Sequence, residues 1–120
     1  MIRGYVILIA FAFLASAFAE DLYPDKYDYV DVDSVLANDR QREQYSNCFM
    51  DLGPCVTPDA KFFKQYLPEA IATQCKKCTE KQKETFSKVA DWYNANDKAT
   101  WDSFVEKMLK TMKSMNEDKE

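Results

Sequence analysis

Residues 48–78 read CFMDLGPCVTPDAKFFKQYLPEAIATQCKKC and contain all four cysteines of the 120-residue chain. These are Cys48, Cys55, Cys75 and Cys78. An even number of cysteines in a short exported chain is first interpreted as two disulfides, and four cysteines allow three pairings. Pairing between neighbours would close two small rings, each contributing roughly 2 kcal/mol by loop-closure entropy. Such rings would fix helix junctions more than overall stability.

Two other interpretations of the cysteines carry less weight. A redox Cys-x-x-Cys motif places its nucleophilic thiol at a helix N-terminus, whereas Cys75 is expected at a helix C-terminus, where the dipole opposes a thiolate. A four-thiolate zinc site more naturally uses two Cys-x-x-Cys knuckles, but six residues separate Cys48 and Cys55. Neither a redox site nor a metal site is expected.

The same segment carries strong helix signals. Gly53-Pro54 predicts a helix stop, with Gly53 in the left-handed conformation and Pro54 unable to continue the helix. Thr57 as N-cap and Pro58 at the first helical position predict a new helix, and Pro68 should kink it rather than end it. One apolar face follows at three- and four-residue spacing: Phe62, Phe63, Tyr66, Leu67, Ala70 and Ile71.

Weaker signals lie on the N-terminal side. Residues 21–30 have no steady period and indicate an ordered arm. Asp33 is expected to cap a short helix over residues 34–38. A second helix is predicted over residues 40–52, with Tyr45, Phe49 and Leu52 on one stripe.

The C-terminal side predicts two more helices. Thr79 and Gln82 form a capping-box pattern, and Phe86, Val89, Ala90 and Tyr93 should face inward. After a polar break at residues 94–98, the last helix carries a regular stripe: Trp101, Phe104, Val105, Met108, Leu109, Met112 and Met115. Residues 116–120 are expected to fray. With one glycine after residue 19, the chain is predicted to be all-α.

Residues 1–19 have the pattern of a signal peptide. Arg3 precedes an uncharged apolar run over residues 5–18, which is too short to span a bilayer of about 30 Å. Ala17-Phe18-Ala19 predicts cleavage before Glu20. A membrane anchor or buried helix is the alternative. We expect a secreted protein with one domain over residues 20–120 and no stable membrane insertion.

Charge and residue types exclude several functions. Removal of Arg3 changes the net charge from −4 to −5. Because lysines are interleaved with acids, nucleic acid and anionic membranes are poor partners. The chain has no histidine and no glycine-rich phosphate loop, which removes the common nucleophile arrangements. We therefore expect neither an enzyme nor a cofactor.

Eight short motifs occur in a characteristic order. They are Lys26-Tyr27-Asp28, Val32-Asp33-Ser34-Val35-Leu36, Asn38-Asp39-Arg40, Tyr45-x-x-Cys48, Gly53-Pro54-Cys55, Leu67-Pro68-Glu69-Ala70, Cys75-Lys76-Lys77-Cys78 and Lys81-Gln82-Lys83. In this order the chain resembles the insect chemosensory protein family, also called OS-D or the ejaculatory-bulb-protein family. The resemblance implies a compact bundle of about six helices, disulfides between neighbouring cysteines, and an internal hydrophobic channel. It also implies long-chain fatty acids, alcohols, esters or related semiochemicals as ligands.

The resemblance also implies ligand-binding residues. Tyr45 and Trp101 match family positions that line or gate the channel. Further positions are assigned by helix phase beside these two: Tyr27, Leu36, Phe63, Leu67, Gln82, Phe86, Val89 and Val105. For the apolar ones, plain core packing is the alternative. Tyr45 and Gln82 are the expected polar contacts for a ligand head group.

Three departures from the family pattern are visible. Val56 is an extra residue between the second and third cysteines, which should shift the channel wall. Phe62-Phe63 and Phe86 replace smaller residues and should narrow the channel. The Lys-Tyr-Asp-Pro segment that commonly follows the tryptophan is absent, and a methionine-bearing helix takes its place.

Two functions follow from these expectations. The first is a secreted, monomeric carrier of a small apolar ligand, with a role in chemosensation. The alternative is a secreted interaction protein, such as a salivary effector or developmental factor, that acts through a protein partner.

Overall fold

The computed structural model describes residues 21–119, and this part of the chain folds into five α-helices without a strand. The predicted leader, residues 1–19, lies outside the described residues. The helices are α1 (Val32–Ala37), α2 (Asp39–Phe49), α3 (Pro58–Thr73), α4 (Glu80–Asn96) and α5 (Lys98–Lys119). The all-α class predicted from the sequence is confirmed.

The five helices form a closed ring of contacts. Helix α1 packs against α2 and α4, α2 packs against α3, α3 packs against α5, and α5 packs against α4. Each helix therefore contacts two others. Because the ring is closed, the apolar faces of all five helices point toward one shared interior.

Two disulfides join neighbouring cysteines, as the family resemblance implies. Cys48 at the end of α2 is bonded to Cys55, and Cys75 after α3 is bonded to Cys78 before α4. Both bonds therefore fix helix junctions. Since no described cysteine is free, a four-thiolate zinc site is excluded.

The N-terminal arm is ordered and packs against the ring where α3 ends. Tyr23 is 8% exposed and packs on Ala70 and both cysteines of the second disulfide. Its hydroxyl donates to Glu69 Oε1 at 2.7 Å, and its backbone N–H donates to the Lys77 carbonyl at 2.8 Å. These bonds attach the arm to the end of α3 and to the connection that follows it.

The caps of α3 and α4 agree with the sequence signals. Thr57 Oγ1 accepts a hydrogen bond from the Ala60 N–H at 3.3 Å. Thr79 and Gln82 form the full capping box, since the side chain of each accepts from the backbone N–H of the other. Pro68 lies inside α3, which continues to Thr73 as predicted.

The predicted cap of the first helix is wrong by two residues. Asp31, not Asp33, caps α1: its carboxylate accepts from the Ser34 N–H at 3.3 Å and from the Ser34 hydroxyl at 2.8 Å. A helix that begins at Val32 buries Val32 and Leu36, which share a face four residues apart. Asp33 instead pairs with Lys88 on α4 at 2.9 Å.

The expected conformation at the end of α2 is also wrong. The positive φ belongs to Asp51, at 60°, and Gly53 has none. Helix α2 ends at Phe49, so Leu52 lies outside the helix and is 75% exposed rather than on the inner stripe. The Asn47 carbonyl accepts from the N–H groups of both Leu52 and Gly53, which closes the turn.

The C-terminal part of the chain differs from the expected six-helix pattern. The break predicted over residues 94–98 is reduced to Asp97, whose carboxylate accepts from the N–H and the hydroxyl of Thr100 at the start of α5. No proline follows Pro68 in the sequence. Because nothing interrupts it, α5 runs for 22 residues, and positions 116–119 are helical rather than frayed.

None of the described helices combines the length and the apolar character needed to cross a membrane.

Candidate ligand-binding cavity

The interior of the helix ring contains a cavity of about 190 Å³. Residues from all five helices and from the N-terminal arm line it, and the lining atoms are almost entirely apolar. An engineered apolar cavity of roughly 150 Å³ is large enough to bind benzene. The cavity in this chain is therefore large enough to take part of an alkyl chain.

Nine of the ten ligand-binding residues predicted from the sequence surround this cavity. They are Tyr27, Leu36, Tyr45, Phe63, Leu67, Gln82, Phe86, Val89 and Trp101. Val105 is half-buried but does not line the cavity, and Phe104 does so instead. One residue along a helix turns about 100°, which separates the directions of these two side chains.

Aromatic rings form two groups within the wall. Phe62, 8% exposed, contacts Tyr27 at a centroid distance of 5.0 Å and Tyr66 at 4.9 Å. In the second group, Trp101 contacts Phe86 at 6.0 Å and Phe104 at 5.5 Å. Such contacts add rigidity beyond simple burial of area. The aromatic residues expected to narrow the interior are thus part of its wall.

The extra residue, Val56, lies on the surface. It is 62% exposed and precedes the Thr57 cap, which forms at its predicted position. The insertion is therefore accommodated in the loop between the Cys48–Cys55 disulfide and α3.

Tyr45 brings a hydroxyl group to the cavity wall. This hydroxyl donates a hydrogen bond to the Asp59 carboxylate. Burial, helped by that hydrogen bond, raises the pKa of Tyr45 to about 12. The phenol is therefore neutral near pH 7, and its oxygen retains lone pairs that can accept another hydrogen bond.

Gln82 also lines the cavity, but its polar atoms are engaged with the protein. Its oxygen accepts from the Thr79 N–H, while its Nε2 donates to the Pro24 carbonyl at 2.9 Å and to Asp28 Oδ1 at 3.1 Å. These bonds tie the N-terminal arm to the start of α4. A structural role accounts for the Gln82 amide, and only its aliphatic part is left for apolar contact.

Sequence reasoning missed several lining residues. Arg42 is the most unusual, since it is the only cationic residue among the described residues that line the cavity. Arg42, Tyr45 and Phe49 are spaced by three and four residues, so a helical stripe could have revealed it. The other missed residues that line the cavity are Tyr23, Asp28, Val30, Val32, Val35, Ser46, Phe49, Phe62, Tyr66, Ala70, Thr85, Tyr93, Thr100 and Phe104, with Cys75 and Cys78.

The cavity offers mainly apolar contact surface to a ligand. Within residues 21–119, no group of three or more His, Cys, Asp or Glu side chains is arranged to hold a metal ion. The wall supplies mainly hydrocarbon. The polar and charged side chains among the lining residues are Asp28, Arg42, Ser46, Gln82, Thr85 and Thr100, together with the phenols of five tyrosines.

Comparison with known proteins agrees with this fold. A sequence model of the insect pheromone-binding family A10/OS-D matches residues 23–116. The chain is 42% identical over 83 residues to ejaculatory bulb-specific protein 3 of Drosophila melanogaster, covering 69% of this chain and 65% of that protein. It is 42% identical over 80 residues to allergen Tha p 1 of Thaumetopoea pityocampa, covering 65% and 63%. The matched part thus spans slightly less than two thirds of each relative.

Two solved structures are also similar. One is a chemosensory protein in complex with bromo-dodecanol, with 36% identity, a TM-score of 0.69, and coverage of 82% of this chain and 99% of that chain. The other is antennal chemosensory protein A6 from the moth Mamestra brassicae, with 36% identity, a TM-score of 0.61, and coverage of 79% and 89%. The matched family is described as pheromone-binding, which agrees with the expectation from the sequence of a binding protein rather than an enzyme. The chain belongs to the insect pheromone-binding family A10/OS-D.

Proposed function

We propose that this protein is a carrier that binds one small apolar ligand in the cavity inside the helix ring. The observation that carries the proposal is the cavity of about 190 Å³ with an almost purely apolar wall. An empty apolar space of this size forfeits packing contacts, and a hydrocarbon ligand would restore them.

The cavity favours an unbranched chain. Pockets for drug-sized ligands measure roughly 300–1,000 Å³, so a bulky ligand would not fit without movement of the wall. Long-chain fatty acids, alcohols and esters are the candidates. The similar chemosensory protein solved with bromo-dodecanol supports this class.

Tyr45 is the proposed contact for a ligand head group. Its hydroxyl hydrogen is used by Asp59, so its oxygen would accept a hydrogen bond from an alcohol. A mostly apolar site needs only a few such groups to orient a ligand.

We propose further that the protein is secreted as a monomer after cleavage before Glu20. Support comes from the basic start, the apolar run and the small residues at Ala17 and Ala19. Expression of the full-length sequence in insect cells tests this. Protein in the medium should begin at Glu20 and should elute as a monomer. Retention of the uncleaved chain in the cells would contradict it.

Displacement of a fluorescent fatty-acid probe tests the carrier function. Purified protein should bind the probe saturably with one site, and an unlabelled alcohol such as dodecanol should displace it. The absence of displaceable binding by correctly folded protein would refute the proposal.

Exposed apolar side chains are the observation that favours the alternative function, an interaction protein that acts through a protein partner. Leu22, Leu109 and Met115 are 55%, 46% and 43% exposed. If the protein acts through a protein partner, it should form a stable complex of defined stoichiometry and show little affinity for lipid. A complex that forms without ligand, together with absent probe binding, would favour this alternative.

A further inference from the structure

Arg42 is among the residues that line the cavity, and it carries a guanidinium group. Its side chain is only 16% exposed. The Nη1 group donates to the Leu36 carbonyl at 2.7 Å, near the C-terminus of α1, and the guanidinium carbon lies 4.1 Å above the Trp92 ring. Both contacts fix the position of the group, since a planar guanidinium can donate and stack at once.

The charge of Arg42 is only partly compensated. Its Nη2 group bonds Asp39 Oδ1 at 2.8 Å, but the Asp39 side chain is 85% exposed and faces water. An ion pair with so exposed a partner contributes little net energy. Asp28, the only described lining residue with a negative charge, is engaged by Thr79 and Gln82. Arg42 is the only cationic residue among the described residues that line the cavity.

The guanidinium has capacity for a further acceptor. It carries five N–H donors, and within residues 21–119 two donate, one to Leu36 and one to Asp39. Ser46 and Tyr93, which also line the cavity, lie beside it. The pKa of Tyr93 is raised overall, because burial outweighs the opposite effects of the Ser46 hydroxyl and of the positive charge of Arg42. Tyr93 therefore interacts with both of the other residues. Arg42, Ser46 and Tyr93 thus form one polar corner of a mainly apolar wall.

We propose that this polar corner selects ligands with an anionic head group, so that the cavity prefers a long-chain carboxylate to the alcohol or ester of equal length. The inference rests on the proposed carrier function and names its ligand class. A carboxylate would accept charge-assisted hydrogen bonds from Arg42, which are about twice as strong as neutral ones. An alcohol or ester carries no charge and would form only neutral hydrogen bonds beside the apolar contacts.

Competition binding with matched ligands tests the proposal. Dodecanoate, dodecanol and methyl dodecanoate would be compared at pH about 8, where the acid is ionised. The wild-type protein should bind dodecanoate about tenfold more tightly than dodecanol, because a hydrogen bond to a charged group outweighs a neutral one. In Arg42→Gln the affinity for dodecanoate should fall about tenfold, with dodecanol changed by less than about twofold.

Arg40→Gln is the matched control. Arg40 is exposed, lies on the same helix and does not line the cavity, so the substitution removes the same charge without touching the site. It should leave both affinities unchanged. A second variant, Arg42→Lys, keeps the charge but loses the planar fork, and it should retain part of the preference for dodecanoate.

Equal binding of acid and alcohol by the wild-type protein would overturn the inference and leave the carrier function intact. Equal weakening of both ligands in Arg42→Gln would also overturn it, since Arg42 would then act only as part of the wall. If Arg42→Gln fails to fold, the inference is tested by two other results: the preference of the wild-type protein for dodecanoate, and the part of that preference kept by Arg42→Lys. Binding of none of the three ligands by folded wild-type protein would refute the carrier function itself.

Discussion

The Tyr45 hydroxyl on α2 donates a hydrogen bond to the Asp59 carboxylate in the first turn of α3. The Cys48–Cys55 disulfide spans the same junction. The two connections hold α2 against α3 at the cavity wall, and they place the one tyrosine that we assign to a ligand head group.

Removal of this hydroxyl should destabilise the fold. In Tyr45→Phe, the partly buried Asp59 carboxylate loses a partner, and the free energy of unfolding should fall by about 1–2 kcal/mol. Chemical denaturation measures the change. Tyr29→Phe is the control, since Tyr29 is 78% exposed, and it should change stability by less than about 0.5 kcal/mol. Equal effects of both substitutions would contradict a structural role for the hydrogen bond.

The raised pKa of Tyr45 predicts a loss of stability at high pH. Its pKa is about 12 in the folded protein, against about 10 in an unfolded chain. A group with a raised folded pKa contributes stability below the unfolded value, and that contribution is lost as pH rises toward the folded value. Between pH about 10 and about 12 the wild-type protein should therefore lose more stability than Tyr45→Phe. Denaturation midpoints measured across this range would show it, and parallel curves would count against it.

Filling the cavity should weaken ligand binding strongly while the protein still folds. Val89 lines the cavity, and Val89→Trp would place an indole where the alkyl chain is proposed to lie. Affinity for dodecanol should fall by at least about tenfold, and overpacking should cost about 1–3 kcal/mol of stability. Val56→Trp, in the exposed loop before α3, should leave binding unchanged. Unaltered binding in folded Val89→Trp protein would place the ligand elsewhere.

The two disulfides should contribute similar, modest stability. The Cys48–Cys55 ring closes over a sequence separation of 7 and the Cys75–Cys78 ring over 3. Replacement of either pair by serine should lower the free energy of unfolding by about 2 kcal/mol, slightly more for the larger ring. Denaturation of the two double variants measures this. A variant as stable as the wild-type protein would contradict the assignment for that pair.

The observed cap of α1 gives a direct comparison of two neighbouring aspartates. Asp31→Ala removes the acceptor for Ser34 and should lower the Tm by a few degrees. Asp33→Ala removes only an exposed pair with Lys88 and should have a smaller effect. Hydrogen bonds from Ser34 hold the pKa of Asp31 below its usual value, so the difference between the variants should disappear as pH falls through that pKa. A larger effect of Asp33→Ala would restore the cap predicted from the sequence.

Sequence signals were reliable where one residue had one possible role. Thr57-Pro58 and the Thr79–Gln82 pair start α3 and α4 where they predict, because each satisfies an orphan N–H locally. The start of α1 could not be decided locally, since both Asp31 and Asp33 can cap. The burial of Val32 and Leu36 by other helices decides it.

The prediction for the turn after α2 was wrong for a related reason: distant contacts, not the local sequence, decide the conformation. Gly53 is the residue type that favours a positive φ, yet Asp51 adopts it. The Asp51 carboxylate pairs with Lys64 on α3 and with Lys107 on α5. These partners are distant in sequence, so no local pattern could have indicated the conformation.

Among the cavity residues too, local sequence patterns predicted some positions, whereas contacts between distant residues decided others. Tyr45, Trp101 and helix phase beside them found nine of the lining residues, because a stripe on one helix faces one direction. It could not separate Phe104 from Val105, since both lie next to the inward face. Arg42 was missed because charges on a helix are usually solvated, whereas here the Trp92 ring and the Leu36 carbonyl hold the guanidinium in a largely buried position.

Quenching of tryptophan fluorescence by bromo-dodecanol tests the central claim, a ligand inside the helix ring, most directly. Trp101 lines the cavity, whereas Trp92 lies under Arg42 and is not a lining residue. We predict saturable quenching at one equivalent, reversed by unlabelled dodecanol, kept in Trp92→Phe and lost in Trp101→Phe. Quenching that does not saturate, or that is the same in both variants, would contradict an internal site.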